Sequence, residues 1–414
     1  MEKLLLLVHR IPYPPNKGDK IHSFHLLTHL SKHYRVYFGT FVDDEDDWQH
    51  VPRMQALCTE SYFARLSPIK ARLRSIGALL GKRPLSLDFY NDRGLTSWVG
   101  DIMRRHKIDR VLSISAVMAQ YAQPYPQARR LVDFGDVDSQ KWREYAEKKS
   151  WPMSWVYAYE ARELLRYERA VTQQFDATLF VSQPEVELFQ RLAPESAHKI
   201  GLFSNGVDTA YFSPEHDFPN PYTKGEAAIV FTGAMNYWPN VDAVQWFATS
   251  VLPRIREAFP AAHFVIVGSR PSPEVQALAA LDGITVTGTV DDVRPFIRHA
   301  ALAVAPLRIA RGLQNKVLEA MAMAKCVVVS PQALEGIDAQ VGRDLILAPD
   351  ADGFVASILA LLRQPDPALC AAARVQVQQH YSWASNLARI DAWIENKTIP
   401  ETAAAKSIVE PITP

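Results

Sequence analysis

The sequence predicts an α/β protein of two doubly wound domains, each a mainly parallel sheet with helices on both faces. Three observations carry that expectation. Short, bounded apolar runs alternate with segments of helical composition along the chain. The alternation runs once to Asp208, pauses over a polar, proline-bearing stretch and restarts at Ala228. At 414 residues the chain is also too long for one ordinary domain. In such sheets ligands lie at the strand carboxyl ends, so the loops after the strands matter most.

Taken in order, LLLLV (residues 4–8) is a buried first strand, followed by the loop HRIPYPPNKGD and a helix, IHSFHLLTHLSK. Asp19 is placed to cap that helix, and Gly18 lets the backbone approach a ligand. RVYFGTF (35–41) is a second strand, and the acidic DDEDD at 43–47 reads as a solvated loop. Residues 64–86 carry six cations and no carboxylate, with Ile69, Leu73, Ile76 and Leu80 at helical spacing. Two readings stand for this basic amphipathic helix: a surface helix with its stripe in the core, or a contact with an anionic membrane.

The strands at 110–116 and 130–134 follow, the second ending in GDVDS with Asp136 and Asp138 at its carboxyl end. Asp-x-Asp is also how some sugar transferases hold a metal. A transferase of that type would not need the second α/β array that follows, so Asp136 is read as a cleft-facing carboxylate and no metal site is assigned. Ser182 and Glu185 fit a capping box.

The second half repeats the pattern at 228–233, 262–268 and 284–288, and reaches PLRIARGLQNKVLEAMAMAKCVVVS (306–330), a strand end, polar loop, helix and second strand. Arg311, Gly312, Asn315 and Lys316 lie where backbone amides and a positive helix end meet an anion. Glu319, three residues on, shares a helix side with Lys316, so a carboxylate for sugar hydroxyls stands beside an ammonium for phosphate. The competing reading is a plain surface ion pair.

Composition excludes several classes. Lysine plus arginine equals aspartate plus glutamate at 45 each, which gives no global case for a nucleic-acid partner. Cys58, Cys326 and Cys370 are widely spaced, without a metal pattern, and read as small hydrophobes in a reducing compartment. The apolar run near the start is too short for a signal peptide or membrane span. A cytoplasmic protein is expected, at most peripheral on the inner face of the membrane. No Gly-x-Gly-x-x-Gly follows either first strand, against a dehydrogenase.

The ordered set IPYPPNKGD, SNGVD, FTGAMNYWPNVDA, IVGS, VTGTVDDV and GLQNKVLEAMAMAKCVVVS resembles the retaining glycosyltransferase family four, and within it the branch encoded with exosortase-linked exopolysaccharide systems. The resemblance implies the GT-B fold: two facing Rossmann-like domains with a C-terminal return helix. It implies an acceptor domain at 1–208, a linker at 209–225, a nucleotide-sugar domain at 226–380, a return helix at 381–398 and a flexible tail at 399–414. It further implies no cofactor beyond the substrate, a nucleotide-diphosphate sugar, with a glycan or lipid-linked acceptor. Glu319 matches the second glutamate of the family's Glu-x7-Glu signature, which binds ribose, while Arg311 stands at the first. Lys316, with Arg270 or Arg311, then neutralises the diphosphate, since GAMNYWPN lacks the family's usual cations. Gly135 replaces the family's histidine before Asp136, leaving His9 or Asp138 to share its role. Two rival readings remain, a nucleotide-sugar epimerase and a catalytically inactive scaffold of the same fold.

Overall fold

The structure is a computed structural model that describes residues 1–15, 18–77, 81–310 and 312–397. The chain divides into two compact units, Met1–Ser204 with the C-terminal stretch from Asn386, and Asn205–Ser385. The boundary thus lies before the 209–225 stretch, which belongs to the second unit: Tyr222 donates its hydroxyl to the Phe296 carbonyl at 2.6 Å, and Arg294 stacks on Tyr211 at 3.6 Å.

The first unit holds seven parallel strands: β1 (Glu2–Val8), β2 (Tyr34–Val42), β3 (Glu60–Arg65), β4 (Arg110–Ile114), β5 (Arg129–Gly135), β6 (Ala177–Phe180) and β7 (Ile200–Leu202). Their order is β3-β2-β1-β4-β5-β6-β7. The leucines of β1 are fully buried because both sheet faces are covered by helices, which is why the run is continuous rather than alternating. The strand order reverses between β1 and β4, opening a crevice at their carboxyl ends.

The second unit repeats the plan with β8 (Ala227–Thr232), β9 (Ala262–Val267), β10 (Ile284–Gly288), β11 (Leu302–Ala305), β12 (Val327–Val329) and β13 (Ile346–Leu347), ordered β10-β9-β8-β11-β12-β13. Its reversal falls between β8 and β11. Phe247 anchors the core there, 4.5 Å from Phe264 and 6.3 Å from Phe354 between ring centres. Each such pair adds about 0.5–1.5 kcal/mol beyond area burial. At the ends of β8 and β9 the chain comes so close that a Cβ on Gly268 would lie 1.6 Å from the Gly233 carbonyl oxygen, so only glycine fits.

The helix Trp383–Glu395 ends in the first unit. Arg129 donates to the carbonyls of Trp393 at 2.7 Å and Ile394 at 3.0 Å, a cation closing a helix C-terminus. His29 meets Asp391 at 2.8 Å, and the Trp393 ring occupies the space a side chain at Gly201 would need. Residues 399–414 lie outside the described residues.

Four sequence expectations are corrected. Cys326 and Cys370 are not separate small hydrophobes: the start of β12 packs on helix Pro367–His380 and the two form a disulfide with Cα atoms 4.8 Å apart. The case for a reducing compartment falls with it. The acidic run is no free loop, since Asp43 accepts from Arg10 at 2.9 Å and buried Asp47 from Lys20 at 2.6 Å. Asp19 lies inside helix Gly18–His33 rather than before it, and its carboxylate meets His9 and Arg10 as well as the Lys20 amide of the first turn. Ser182 makes no capping bond, and Glu185 instead accepts from the Val137 amide at 2.7 Å.

Candidate functional site

In the second unit the helix Asn315–Ala322 follows β11 directly at the β8/β11 reversal. Val317, Leu318, Ala320 and Met321 are buried in the core, leaving Lys316 and Glu319 together on the other side. Gly312, with φ +65°, turns the chain into Gln314, whose side chain donates back to the Gly312 carbonyl at 3.2 Å. The first amides of the helix have no intrahelical acceptor.

Lys316 lies over the end of β8. Its Cε is 3.5 Å from where a Gly233 Cβ would stand, and its Nζ is 5.5 Å from the centre of the Phe231 ring. Nζ donates to Gln314 Oε1 at 3.3 Å. Among the described residues no ion pair joins it to Glu319, so the surface-pair reading fails. Both side chains are half-buried in area yet hemmed in by protein. Burial pushes the Lys316 ammonium down to about 8, opposed in part by Glu319, and pushes the Glu319 carboxyl up to about 7, opposed in part by Lys316. A cation and a carboxylate kept close to their own titration points, with no strong partner to hold either among the described residues, suit a site that receives an outside ligand.

The neighbouring loops complete the crevice. Met235, just after β8, donates its amide to the Ser269 carbonyl at 2.8 Å, which ties the loop carrying Arg270 to the loop carrying Gly233. Arg270 itself has a left-handed backbone, φ +53°. The Asn315 side-chain oxygen is buried without a partner among the described residues. Arg311 lies outside the described residues.

The first unit gathers charge at its own reversal. His9 and Arg10 leave β1; His9 Nε2 is 3.5 Å from Asp19, and Arg10 bonds Asp19 at 3.0 Å and Asp43 at 2.9 Å. Burial alone would raise the Asp19 carboxyl, but the hydrogen bond and charge of His9 and the charge of Arg10 hold it well below the usual carboxylate range. Among the described residues His9 Nδ1 is buried with no partner. After β5, Lys141 donates to Asp136 at 2.6 Å and Asp138 at 3.2 Å. Burial would lower the ammonium, yet the two carboxylates raise it, so it stays charged. The Asp-x-Asp pair is therefore bridged, and half compensated in charge, by one lysine of the fold. Tyr90 lies between these clusters: burial pushes its hydroxyl up to about 12, and it feels Arg10, Asp43, Asp19 and Asp138.

Of the sequence-derived residues, Gly312, Asn315, Lys316 and Glu319 share one loop and helix, with Arg270 in the adjoining loop. His9, Asp136 and Asp138 share the carboxyl end of the first sheet. Gly18, also in the first unit, has open space around its would-be Cβ and no left-handed φ, so nothing there demands glycine. Sequence reasoning missed Lys141, Tyr90 and the buried pair of His22 and Asp133, 2.7 Å apart. Asp133 was readable as a carboxylate inside the apolar run RLVDF; its partner, far along the chain, was not.

Residues 226–364, which carry the Lys316 helix, match the family model for "Glycosyl transferases group 1". Among solved structures the chain is similar to sucrose-phosphate synthase from Thermosynechococcus elongatus, at TM-score 0.66 and 17% identity, covering 96% of this chain and 99% of that one. It is similar to Anabaena HepE in complex with UDP, at TM-score 0.67 and 13% identity, covering 96% and 100%. A third likeness is to WaaG, a glycosyltransferase involved in lipopolysaccharide biosynthesis, at TM-score 0.64 and 13% identity, covering 94% and 99%. No curated protein matches the chain by sequence. The fold is GT-B.

Proposed function

We propose that the chain is a retaining, metal-independent glycosyltransferase that moves a sugar from a nucleotide-diphosphate sugar to a glycan or lipid-linked acceptor in exopolysaccharide synthesis. One observation carries the reading: within the group 1 glycosyltransferase match, an ammonium and a carboxylate lie on one side of a helix that opens at the sheet reversal. Lys316 meets the diphosphate and Glu319 the ribose. HepE, which has the same fold, has been solved with UDP and with UDP-glucose. The first unit takes the acceptor near His9, Asp136 and Asp138. In front-face transfer the leaving phosphate helps accept the acceptor proton, so the protein's part is positioning and stabilising the departing charge. Asp136, as a carboxylate held by Lys141, orients the acceptor hydroxyl. Incubation with a panel of nucleotide sugars tests the reading: acceptor-dependent nucleotide release supports transfer, acceptor-independent sugar conversion supports an epimerase, and no turnover supports an inactive scaffold.

The donor site has a pH signature. Lys316 binds phosphate as the ammonium, present below about 8, and Glu319 accepts from ribose as the carboxylate, present above about 7. Donor kcat/KM is expected to be bell-shaped, falling on the acid side as Glu319 protonates and on the alkaline side as Lys316 loses its charge. Glu319→Gln removes the acid limb and raises donor KM more than it lowers kcat, because ribose carries no charge that changes in the reaction. An unaltered acid limb in that variant would exclude the ribose role.

The helix Pro68–Ile76 leaves Ile69 72% and Leu73 66% exposed, so this part of the apolar stripe is not in the core; Ala71 and Ser75 fill that place. The side chain of Ile76 and all of Leu80 lie outside the described residues. Not every nearby cation is available: Arg74 donates to the carbonyls of Asp88 and Phe89 at 2.6 and 2.7 Å, and Arg83 pairs with Asp88 at 3.6 Å. Lys70, Arg72 and Lys82 remain for an anionic membrane. At about 1 kcal/mol each, replacing all three with glutamine is expected to weaken vesicle binding roughly a hundredfold. Equal sedimentation of wild type and triple variant with anionic vesicles would remove the membrane contact. Among the described residues no helix is long and apolar enough to cross a membrane.

A further inference from the structure

We propose that a cavity inside the first unit holds the hydrocarbon chain of a phosphate-bearing lipid acceptor. This rests on the transferase reading and names its acceptor class. The cavity, about 490 Å³, lies among the helices Pro68–Ile76, Leu85–Phe89, Asp138–Glu147 and Met153–Gln174. That volume is within the range of small-molecule pockets, about 300–1,000 Å³. Its walls are built from Leu85, Phe89, Tyr90, Trp142, Val156 and Tyr157.

The Glu160 carboxylate and the Ser75 and Ser86 hydroxyls in the wall are already engaged. Glu160 accepts from the Leu85 amide at 2.5 Å and from the Ser86 amide and hydroxyl at 3.1 and 2.6 Å, and the Ser75 hydroxyl donates to the Ala71 carbonyl at 2.9 Å. A saccharide buried here would find few partners for its hydroxyls and would lose water without compensation. A hydrocarbon chain needs none. Arg72, also in the wall, is a cation with no ion pair among the described residues, and it supplies the partner for phosphate.

Two further features give the chain a direction. Tyr90 lines the cavity and also stands 6.1 Å from His9 between ring centres, so the apolar space ends at the polar cluster proposed for the acceptor. The helix that supplies Arg72 and Ser75, tied by Arg74 to the Asp88 and Phe89 carbonyls next to Tyr90, turns exposed Ile69 and Leu73 outward beside Lys70, the arrangement that settles on an anionic membrane. A lipid drawn from that surface places its chain in the cavity and its head at Tyr90.

Calorimetric titration of the full chain, without nucleotide, tests this with farnesyl phosphate, dodecyl phosphate, inorganic phosphate and octyl glucoside. Both lipid phosphates are expected to bind and inorganic phosphate is not; tighter binding of the farnesyl compound marks an isoprenoid source, and of the dodecyl compound an acyl source. Val156→Trp fills the cavity from a half-buried helix position and is expected to weaken both at least tenfold while UDP binding is kept. If that variant does not fold, Ser75→Leu fills it from the opposite wall. No binding by either lipid phosphate, wild-type affinity in the filled variant, or octyl glucoside binding as tightly as the phosphates would each overturn the proposal. Since no donor is present, lipid binding with no nucleotide turnover would sink the transferase reading alone, and turnover with no lipid binding would sink the cavity reading alone.

Discussion

Lys316→Ala is expected to lower donor kcat/KM by roughly tenfold to a hundredfold, the loss of one charge-assisted hydrogen bond worth about 1.5–3 kcal/mol. Both kcat and donor affinity fall, because negative charge grows on the leaving diphosphate and an ammonium beside it binds the transition state more tightly than the ground state. The ammonium is not replaceable from its surroundings by Gln314, its 3.3 Å partner, which carries no charge. Burial already disfavours the charged lysine, so an anion arriving at Nζ relieves a cost as well as making a bond. Lys316→Arg keeps the charge but not the shape at the Gly233 contact, and is expected to recover only part of the activity. Steady-state kinetics of the two variants with the preferred donor make the check, and an alanine variant with wild-type kcat would remove Lys316 from the reaction.

His22→Leu is expected to destabilise the first unit by about 3 kcal/mol. His22 comes from the helix Gly18–His33 and reaches Asp133 in β5 at 2.7 Å, with both side chains at most 5% exposed. Removing the histidine leaves a carboxylate out of water with, among the described residues, the Gly135 amide 2.9 Å away to compensate it. Breaking a buried pair from one side costs about 3–5 kcal/mol, and the retained amide bond puts this case at the low end. Replacing both partners, as in His22→Leu with Asp133→Leu, is expected to restore most of the loss, because the buried charge goes too. Urea unfolding read from the first unit's transition compares the three proteins. A double variant no more stable than the single one would mean the pair is not what the helix and β5 share.

The sheet plan was legible because each buried strand is a compact, local signal: LLLLV and the second half's AIVFTG needed nothing from elsewhere in the chain. Lys316 and Glu319 were legible for the same reason, since three residues on a helix set their common side. What the sequence hid were partners joined only by the folded chain. Asp136 and Asp138 were read as carboxylates at a strand end, but the sequence did not show that Lys141, one helical turn after Asp138, bridges them. Asp43 and Asp47 looked solvated, although Arg10 and Lys20 from β1's loop and the next helix reach them. Cys326 and Cys370 are 44 residues apart, and no local pattern announces that β12 starts against helix Pro367–His380. The basic segment was half-readable: its charge and period were plain, but the carbonyls that occupy Arg74 come from the following helix.

Titration of UDP and other nucleoside diphosphates into wild type, Lys316→Ala and Glu319→Gln, followed by calorimetry, tests the donor site most directly. At least one nucleotide is expected to bind the wild type, with Lys316→Ala weakening it by tenfold or more and Glu319→Gln weakening the nucleotide while leaving inorganic diphosphate binding unchanged. No binding of any nucleoside diphosphate, or equal affinity in all three proteins, would contradict the assignment of the β8/β11 crevice as the place where a nucleotide sugar is held.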